Sequence, residues 1–423
     1  MKKSKGRQVV ITGWGIWSSL GNSFEECLKS LYYGQSGIKF CSEYAAAGLP
    51  SQVRGELKDP QEAREFLGKH ARKAGVGTLY AVEAFRQAAQ MSGLTEKEIQ
   101  QAGVNVSTGG GAPLVAAKAD KILRSRGVKR IPPGANFQVL PNNPNIVLGT
   151  VFQMTGGNYG ITSACATASN CIGDAFLRIK AGCNDVVFAG GCDENDELIA
   201  ATFCQLKALS TCYNDEPEQA SQPYDKNRDG FVMAGGAGVL VLEELESALE
   251  RKAPILAEVI GYGFSSDGFN FTAPSGEGAA RCMETALRSA GISPEEVDYI
   301  NTHGTGTPAG DVAELQAIHQ VFGDPRKREF PLMVSSTKAL SGHGLGAAGA
   351  QEVIYSLIMM ENGFVGPMNF KELDPEAKEH GFDEGILPRE RRYYPFDIFL
   401  SNSFGFGGSN ASLVIRKYFP KEK

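Results

Sequence analysis

Short runs of β-branched and apolar residues recur at positions 9–11, 185–188, 238–242, 255–260, 297–300, 332–335 and 413–415, and the stretches between them show helical spacing of apolar residues. Strands alternating with helices predict an α/β fold. Three helix starts are predicted where a hydroxyl side chain stands three residues before an acid: Ser23 with Glu26, Thr95 with Glu98, and Ser293 with Glu296. In each pair the two side chains can satisfy one another's free backbone N–H groups, and Pro294 suits the first helical position.

The pattern repeats on a larger scale. A charged stretch at 243–254 ends one run of elements, and a strand begins again at Ile255. Each side of that point opens with a strand running into a glycine-punctuated turn, at 9–18 and at 255–265. Each side also holds a helix start built of small residues, Ser163-Ala164-Cys165-Ala166-Thr167-Ala168 in the first and Ser341-Gly342-His343-Gly344-Leu345-Gly346-Ala347-Ala348 in the second. The expected organisation is a duplicated α/β unit with halves at 1–253 and 254–423. The 51 glycines, about twice average usage, cluster at strand ends, where α/β enzymes place their chemistry.

Composition narrows the classes of function. A chain of 423 residues, 42% hydrophobic, is long enough for two core-sized units. Its 42 Lys+Arg against 48 Asp+Glu leave a net charge of −6, which offers no field to hold a polyanion, so nucleic acid is not an expected partner. No stretch approaches the roughly 18 apolar residues of a membrane span. The basic start, Met1-Lys2-Lys3-Ser4-Lys5, has the charge of a secretory leader, but the following Val9–Gly15 is too short and glycine-broken for its hydrophobic part and reads as a strand. Nine cysteines, an odd number without C-x-x-C spacing, predict reduced thiols in a cytosol.

Candidate chemistry begins at Cys165. A thiol at a helix start faces the positive end of the helix dipole, which favours thiolate. Taken alone, it would be read as a buried structural cysteine. Two histidines change that balance. His303 lies in Asn301-Thr302-His303-Gly304-Thr305-Gly306-Thr307-Pro308, just past a strand and in a turn too rich in Gly and Thr to be core. His343 stands at a helix start, where the dipole disfavours imidazolium and leaves a neutral N–H donor. Either alone could be a solvated turn residue or a cap. Neither is followed, two to five residues on, by the His, Cys or acid that metal-ligand spacing calls for. The loop Ser401-Asn402-Ser403-Phe404-Gly405-Phe406-Gly407-Gly408-Ser409-Asn410 can present backbone N–H groups to an oxyanion. Neither it nor Gly109-Gly110-Gly111 has dinucleotide or P-loop spacing, so no phosphate-bearing cofactor is expected.

In this order, Ser163–Thr167, Tyr224-Asp225-Lys226-Asn227-Arg228-Asp229-Gly230-Phe231, His303 to Asp311, Lys338 to His343 and Ser403 to Asn410 resemble the thiolase-fold condensing enzymes, specifically beta-ketoacyl-ACP synthases, over nearly the whole chain. Ala234-Gly235-Gly236-Ala237-Gly238, Tyr213-Asn214-Asp215 and Ala273-Pro274-Ser275-Gly276-Glu277-Gly278 look most like the synthase I branch, with synthase II next. Gly306, Ser341 and Ser409 depart from residues common in the family without removing a catalytic group.

The resemblance implies a thiolase-like fold of layered α-β-α-β-α halves with mixed five-stranded sheets. It implies a decarboxylative condensation in fatty-acid elongation: Cys165 takes an acyl group from acyl-ACP, and His303 and His343 hold the enolate formed from malonyl-ACP. The backbone N–H groups of Cys165 and Phe406 would form the oxyanion hole. Lys338, with Glu314, would order the site, and Asp311 and Glu352 would support it. Thr305, Thr307 and Phe404 would contact pantetheine. Phe406 would gate the nucleophile, and Gly110 would stand at the end of the acyl pocket, admitting longer chains. Lys69, Arg72 and Lys73 would dock the acidic carrier protein, although a solvated helix face reads almost as well. The family also implies a homodimer, no cofactor beyond the carrier's phosphopantetheine, and a cytoplasmic setting.

Rival readings have discriminating residues. A degradative thiolase would carry a second cysteine in the C-terminal glycine-rich loop, yet the last cysteine is Cys282. A non-catalytic partner of the chain-length-factor type would lack the nucleophile. A ketosynthase of a polyketide or aryl-polyene pathway uses the same motifs and stays open.

Overall fold

The computed structural model of the chain describes residues 6–271 and 275–420. The basic start at Met1–Lys5, and Ala273 and Pro274 of one branch motif, lie outside the described residues.

Nine strands form one mixed sheet: β1 (Val9–Trp17), β2 (Gly103–Thr108), β3 (Val186–Asp193), β4 (Gly236–Glu244), β5 (Ala257–Ser266), β6 (Tyr299–Asn301), β7 (Met333–Ser335), β8 (Ile398–Gly405) and β9 (Ser409–Lys417). Their spatial order is β2-β3-β4-β1-β5-β9-β8-β6-β7. The first four strands and the last five mirror one another. In each set a parallel pair, β2 with β3 or β6 with β8, leads into two antiparallel pairings that end at β1 or β5. The sets meet where Val9–Ile11 of β1 pairs with Ala257–Val259 of β5. The first half thus contributes four strands to the sheet, one fewer than the family pattern implies.

Five long helices fill the layers: α1 (Val76–Ser92), α2 (Thr167–Lys180), α3 (Glu277–Ala290), α4 (Pro308–Phe322) and α5 (Ala348–Asn362). Apolar residues of α2 and α5 share one core with strands of both sets, including Ile172, Phe176, Val353 and Ile354 with Ile11, Leu242, Leu413 and Ile415. These two helices are the middle layer. The outer layers are α1, packed with β2 and β4 through Phe85 and Val106, and α3 with α4, packed on the second set through Met283 and Leu315. The middle position explains why α5 is buried on every side from Ala348 to Met360, where an outer helix would carry a polar face.

Two strands escape the apolar pattern. In β2 the residues alternating with Val104 and Val106 are Asn105 and Ser107, and in β8 the middle is Ser401-Asn402-Ser403; all are buried. Three of them have side-chain partners: Asn105 donates to Asp174 at 2.9 Å, Asn402 accepts from Ser412 at 2.7 Å, and the hydroxyls of Ser403 and Ser169 lie 2.8 Å apart, while those of Ser107 and Ser401 have no partner. The C-terminal segment expected to be a glycine-rich loop is therefore mostly strand, with a turn of Phe406-Gly407-Gly408 between β8 and β9.

The helix-start signals have mixed outcomes. Thr95 and Glu98 form the reciprocal cap. Ser23 caps its helix by accepting from the Glu26 N–H, but the Glu26 carboxylate reaches the Asn22 N–H instead. Ser293 and Glu296 bound only a three-residue 3-10 turn, because Val297 already turns toward β6.

Candidate active site

The middle helices bring the first two chemical groups together. Cys165 lies just before α2 and His343 just before the 3-10 turn Leu345–Ala347 that leads into α5. Close approach of the two helix starts requires glycine: a Cβ on Gly349 would lie 2.1 Å from Ser169 Oγ and 3.1 Å from the Ser169 nitrogen.

Cys165 is presented on a strained turn, since Ala164 has a φ of 50°, a left-handed conformation that is uncommon for a residue with a side chain. Thr167 Oγ1 accepts from the Ser163 N–H at 2.9 Å and donates to the Ala164 carbonyl at 2.7 Å. Tyr262 donates to Asn170 at 2.6 Å, and Asn170 donates to Ser163 Oγ at 2.7 Å. The β8–β9 turn reaches this elbow because Gly405 has no side chain; a Cβ there would stand 2.8 Å from the Ser163 carbonyl. Burial pushes the Cys165 thiol up to about 12; Lys338 opposes it, Asp193 adds to it, and backbone hydrogen bonds from Phe406 and from Cys165 itself favour the thiolate. The dipole argument made from the sequence is therefore outweighed by desolvation.

His303 follows β6 in a loop held by two acids from the first turns of α4. Glu314 accepts the N–H groups of His303 at 2.9 Å and Gly304 at 2.7 Å, with Asn402 donating to it at 3.1 Å. Asp311 accepts from the N–H groups of Thr305 and Gly306, both at 3.1 Å, and of Tyr224 at 2.9 Å. Arg228 pairs with Asp311 at 3.4 Å. The His343 N–H donates to the Val232 carbonyl at 2.7 Å. The two imidazoles meet edge to face, with ring centroids 5.3 Å apart, and Phe231 and Phe404 flank them. Nδ1 of His303 and both ring nitrogens of His343 lack a protein partner. Burial, reinforced by the charge of Lys338, holds both histidines well below the usual range, so they are neutral.

Lys338 is buried and pairs with Glu352 on α5, with Thr302 O at 3.5 Å from Nζ. Its ion-pair partner is therefore Glu352 and not Glu314, which is engaged with the His303 loop. Burial pushes Glu314 and Glu352 each up to about 7 against their hydrogen bonds and the pull of Lys338.

A cleft of about 360 Å³ opens over these groups, lined by Cys165, His303, His343, Thr305, Thr307, Phe404 and Phe406 among others. The hydroxyls of Thr305 and Thr307 lie 3.1 Å apart. Cys165 and His303 are half-buried and reachable from the cleft, although protein atoms crowd them. Gly110 does not line the cleft: it is exposed, and a Cβ there would meet nothing within 4 Å. Lys69, Arg72 and Lys73 are exposed on a 3-10 turn away from the lining residues, with Lys73 over the Phe137 ring at 5.3 Å.

Asn402, Asp193 and the Tyr262–Asn170 pair carry no local motif of their own. Polar residues inside apolar strand patterns, such as Asn402 in β8 and Asp193 at the end of β3, were the available signal. Among the described residues no group of three or more His, Cys, Asp or Glu could hold a metal ion, and no helix is long and apolar enough to cross a membrane.

Known proteins resemble this chain over nearly its whole length. Residues 6–248 match the beta-ketoacyl synthase N-terminal domain and residues 256–370 the C-terminal domain. The chain is 44% identical to 3-oxoacyl-[acyl-carrier-protein] synthase 1 of Escherichia coli strain K12, over 97% of this chain and 99% of the relative. It is 40% identical to 3-oxoacyl-[acyl-carrier-protein] synthase 2 of Coxiella burnetii, over 98% and 99% of the two chains. A beta-ketoacyl synthase structure from Burkholderia phymatum superposes with a TM-score of 0.88 at 31% identity, covering 98% of this chain and 100% of that one. With matching domains on both sides of the sheet and full-length relatives at this identity, the chain belongs to the beta-ketoacyl synthase family.

Proposed function

We propose that this protein is a beta-ketoacyl-[acyl-carrier-protein] synthase of fatty-acid elongation, joining an acyl group to malonyl-ACP to give 3-oxoacyl-ACP, carbon dioxide and free ACP. The observation that carries this reading is the convergence of Cys165 with two neutral histidines whose ring nitrogens await partners in one cleft.

The reaction divides between these groups. Cys165 attacks the acyl-ACP thioester, the carrier thiol leaves with the proton, and the acyl group remains on Sγ. Malonyl-ACP then loses carbon dioxide. The electron pair released passes to its thioester carbonyl, and N–H groups of His303 and His343 hold the enolate oxygen. Neutral imidazoles suit this work, because their donors are already aimed at the site where charge develops. The resulting carbanion attacks the acyl-Cys165 carbonyl. Backbone N–H groups of Cys165 and Phe406 hold the tetrahedral oxyanion until the thiolate departs; each such donor contributes about 3 kcal/mol.

Thr305 and Thr307 are read as pantetheine contacts, Phe404 and Phe406 as walls of its channel, and Lys338, Glu352, Asp311 and Glu314 as groups that order the loops. Lys69, Arg72 and Lys73, without ion pairs among the described residues, would meet the acidic carrier. The enzyme would act as a cytoplasmic homodimer, with no cofactor except the phosphopantetheine on its substrate. The synthase relatives at 40–44% identity support fatty-acid elongation over the polyketide reading, since the ishigamide ketosynthase/chain length factor is 32% identical. Incubation with acyl-ACPs of graded length and malonyl-ACP tests the proposal. Products two carbons longer are expected, and unchanged acyl-ACP would refute it.

A further inference from the structure

Asp193 ends β3, and its carboxylate is buried beside the site without lining the cleft. Oδ2 accepts the Gly109 N–H at 3.0 Å, from the turn after β2, and the Gly346 N–H at 2.7 Å, from the 3-10 turn that follows His343. Oδ1 has no partner.

Glycines surround this point because nothing larger fits. A Cβ on Gly109 would lie 2.7 Å from Asp193 Oδ2 and 2.9 Å from the carbonyl of Ala164, the strained residue before the nucleophile. A Cβ on Gly346 would lie 2.4 Å from the Gly109 nitrogen, and one on Gly191 would lie 2.2 Å from the Gly346 carbonyl. One carboxylate therefore ties a first-half turn backing the Cys165 elbow to the second-half loop bearing His343.

We propose that Asp193 is a positioning residue that fixes the Cys165 elbow and the His343 loop relative to each other by accepting backbone N–H groups from both. The proposal rests on the synthase reading for the step it affects. Charge gives it a second signature. Lys338 and Asp193 act on the Cys165 thiol in opposite directions, while the two facing histidines are neutral. Glu194 is the acid facing Asp193 itself.

Two variants separate these contributions. Asp193→Ala leaves the Gly109 and Gly346 N–H groups without an acceptor. Asp193→Asn keeps an acceptor oxygen but removes the charge. Malonyl-ACP decarboxylation, which depends on His343, is expected to fall about tenfold or more in Asp193→Ala and severalfold less in Asp193→Asn. Iodoacetamide labelling of the Cys165 peptide, followed by mass spectrometry across pH, should rise at lower pH in both variants than in the parent protein, because a like charge has been removed. A residue that only supports the fold would lower the melting temperature and leave this labelling profile in place. Equal decarboxylation losses in the two variants, or an unmoved profile in Asp193→Asn, would overturn the proposal. If the parent protein failed to decarboxylate malonyl-ACP, the synthase reading would fall, and the labelling comparison would still decide the role of Asp193.

Discussion

At Cys165 two physical effects oppose each other. The start of α2 favours a thiolate, while burial pushes the thiol up to about 12. Burial wins, so the unacylated protein holds a thiol at neutral pH. Iodoacetamide labelling of Cys165 should then climb about tenfold per pH unit between pH 7 and 9, as the thiolate fraction does below its pKa; a plateau already reached by pH 8 would mean that the dipole prevails. Lys338 faces the converse problem. Its ammonium offsets the buried carboxylate of Glu352, and Lys338→Ala would leave that charge alone, a loss of about 3–5 kcal/mol in chemical denaturation. Burial lifts Glu352 to about 7 even against the pull of Lys338, and without the lysine it is held higher still, so at pH 6 the carboxyl is protonated. The loss should therefore be smaller at pH 6 than at pH 8. The sequence carried the identities of Cys165, His303, His343 and Lys338 through short motifs, but not their electrostatics. Which acid faces Lys338 depends on α5 crossing beneath the β6 loop, and no local spacing encodes that.

Among the elements, α2 and α5 matter most, since their starts deliver Cys165 and His343 to the same cleft. Gly349 sets how closely they approach. Gly349→Ala would place a methyl 3.1 Å from a backbone nitrogen of Ser169 as well as against its hydroxyl. Overpacking of that kind costs about 1–3 kcal/mol. Condensation should fall by more than the loss of folded protein explains, which thermal unfolding measured beside turnover would reveal; turnover unchanged at full stability would contradict the packing argument. These helix starts were legible as runs of small residues at 163–168 and 341–348. Strands β2 and β8 were not, because their alternate positions are buried Asn and Ser residues, and the partners of Asn105 and Asn402 come from outside their own strands. The pair Ser293 and Glu296 misled for the opposite reason: a good local cap cannot extend a helix when the next residues belong to a strand.

For the molecule as a whole, duplication explains the site. Mirrored strand sets joined at β1 and β5 flank the two middle helices, and the residues that meet in the cleft, Cys165 with His303 and His343, come from both halves. The repeat of strand, glycine turn and small-residue helix start made this organisation readable. Fusion of the strand sets into one sheet was not readable, since it rests on three residue pairs between β1 and β5. The central claim is that Cys165 carries the acyl group while the two histidines act on malonyl-ACP. Intact-protein and peptide mass spectrometry after addition of acyl-ACP alone, then of malonyl-ACP, examines it most directly. The account predicts one acyl group on the Cys165 peptide, discharged by malonyl-ACP into 3-oxoacyl-ACP with release of one carbon dioxide. An acyl group on another residue, or an acyl-Cys165 that malonyl-ACP leaves intact, would contradict it.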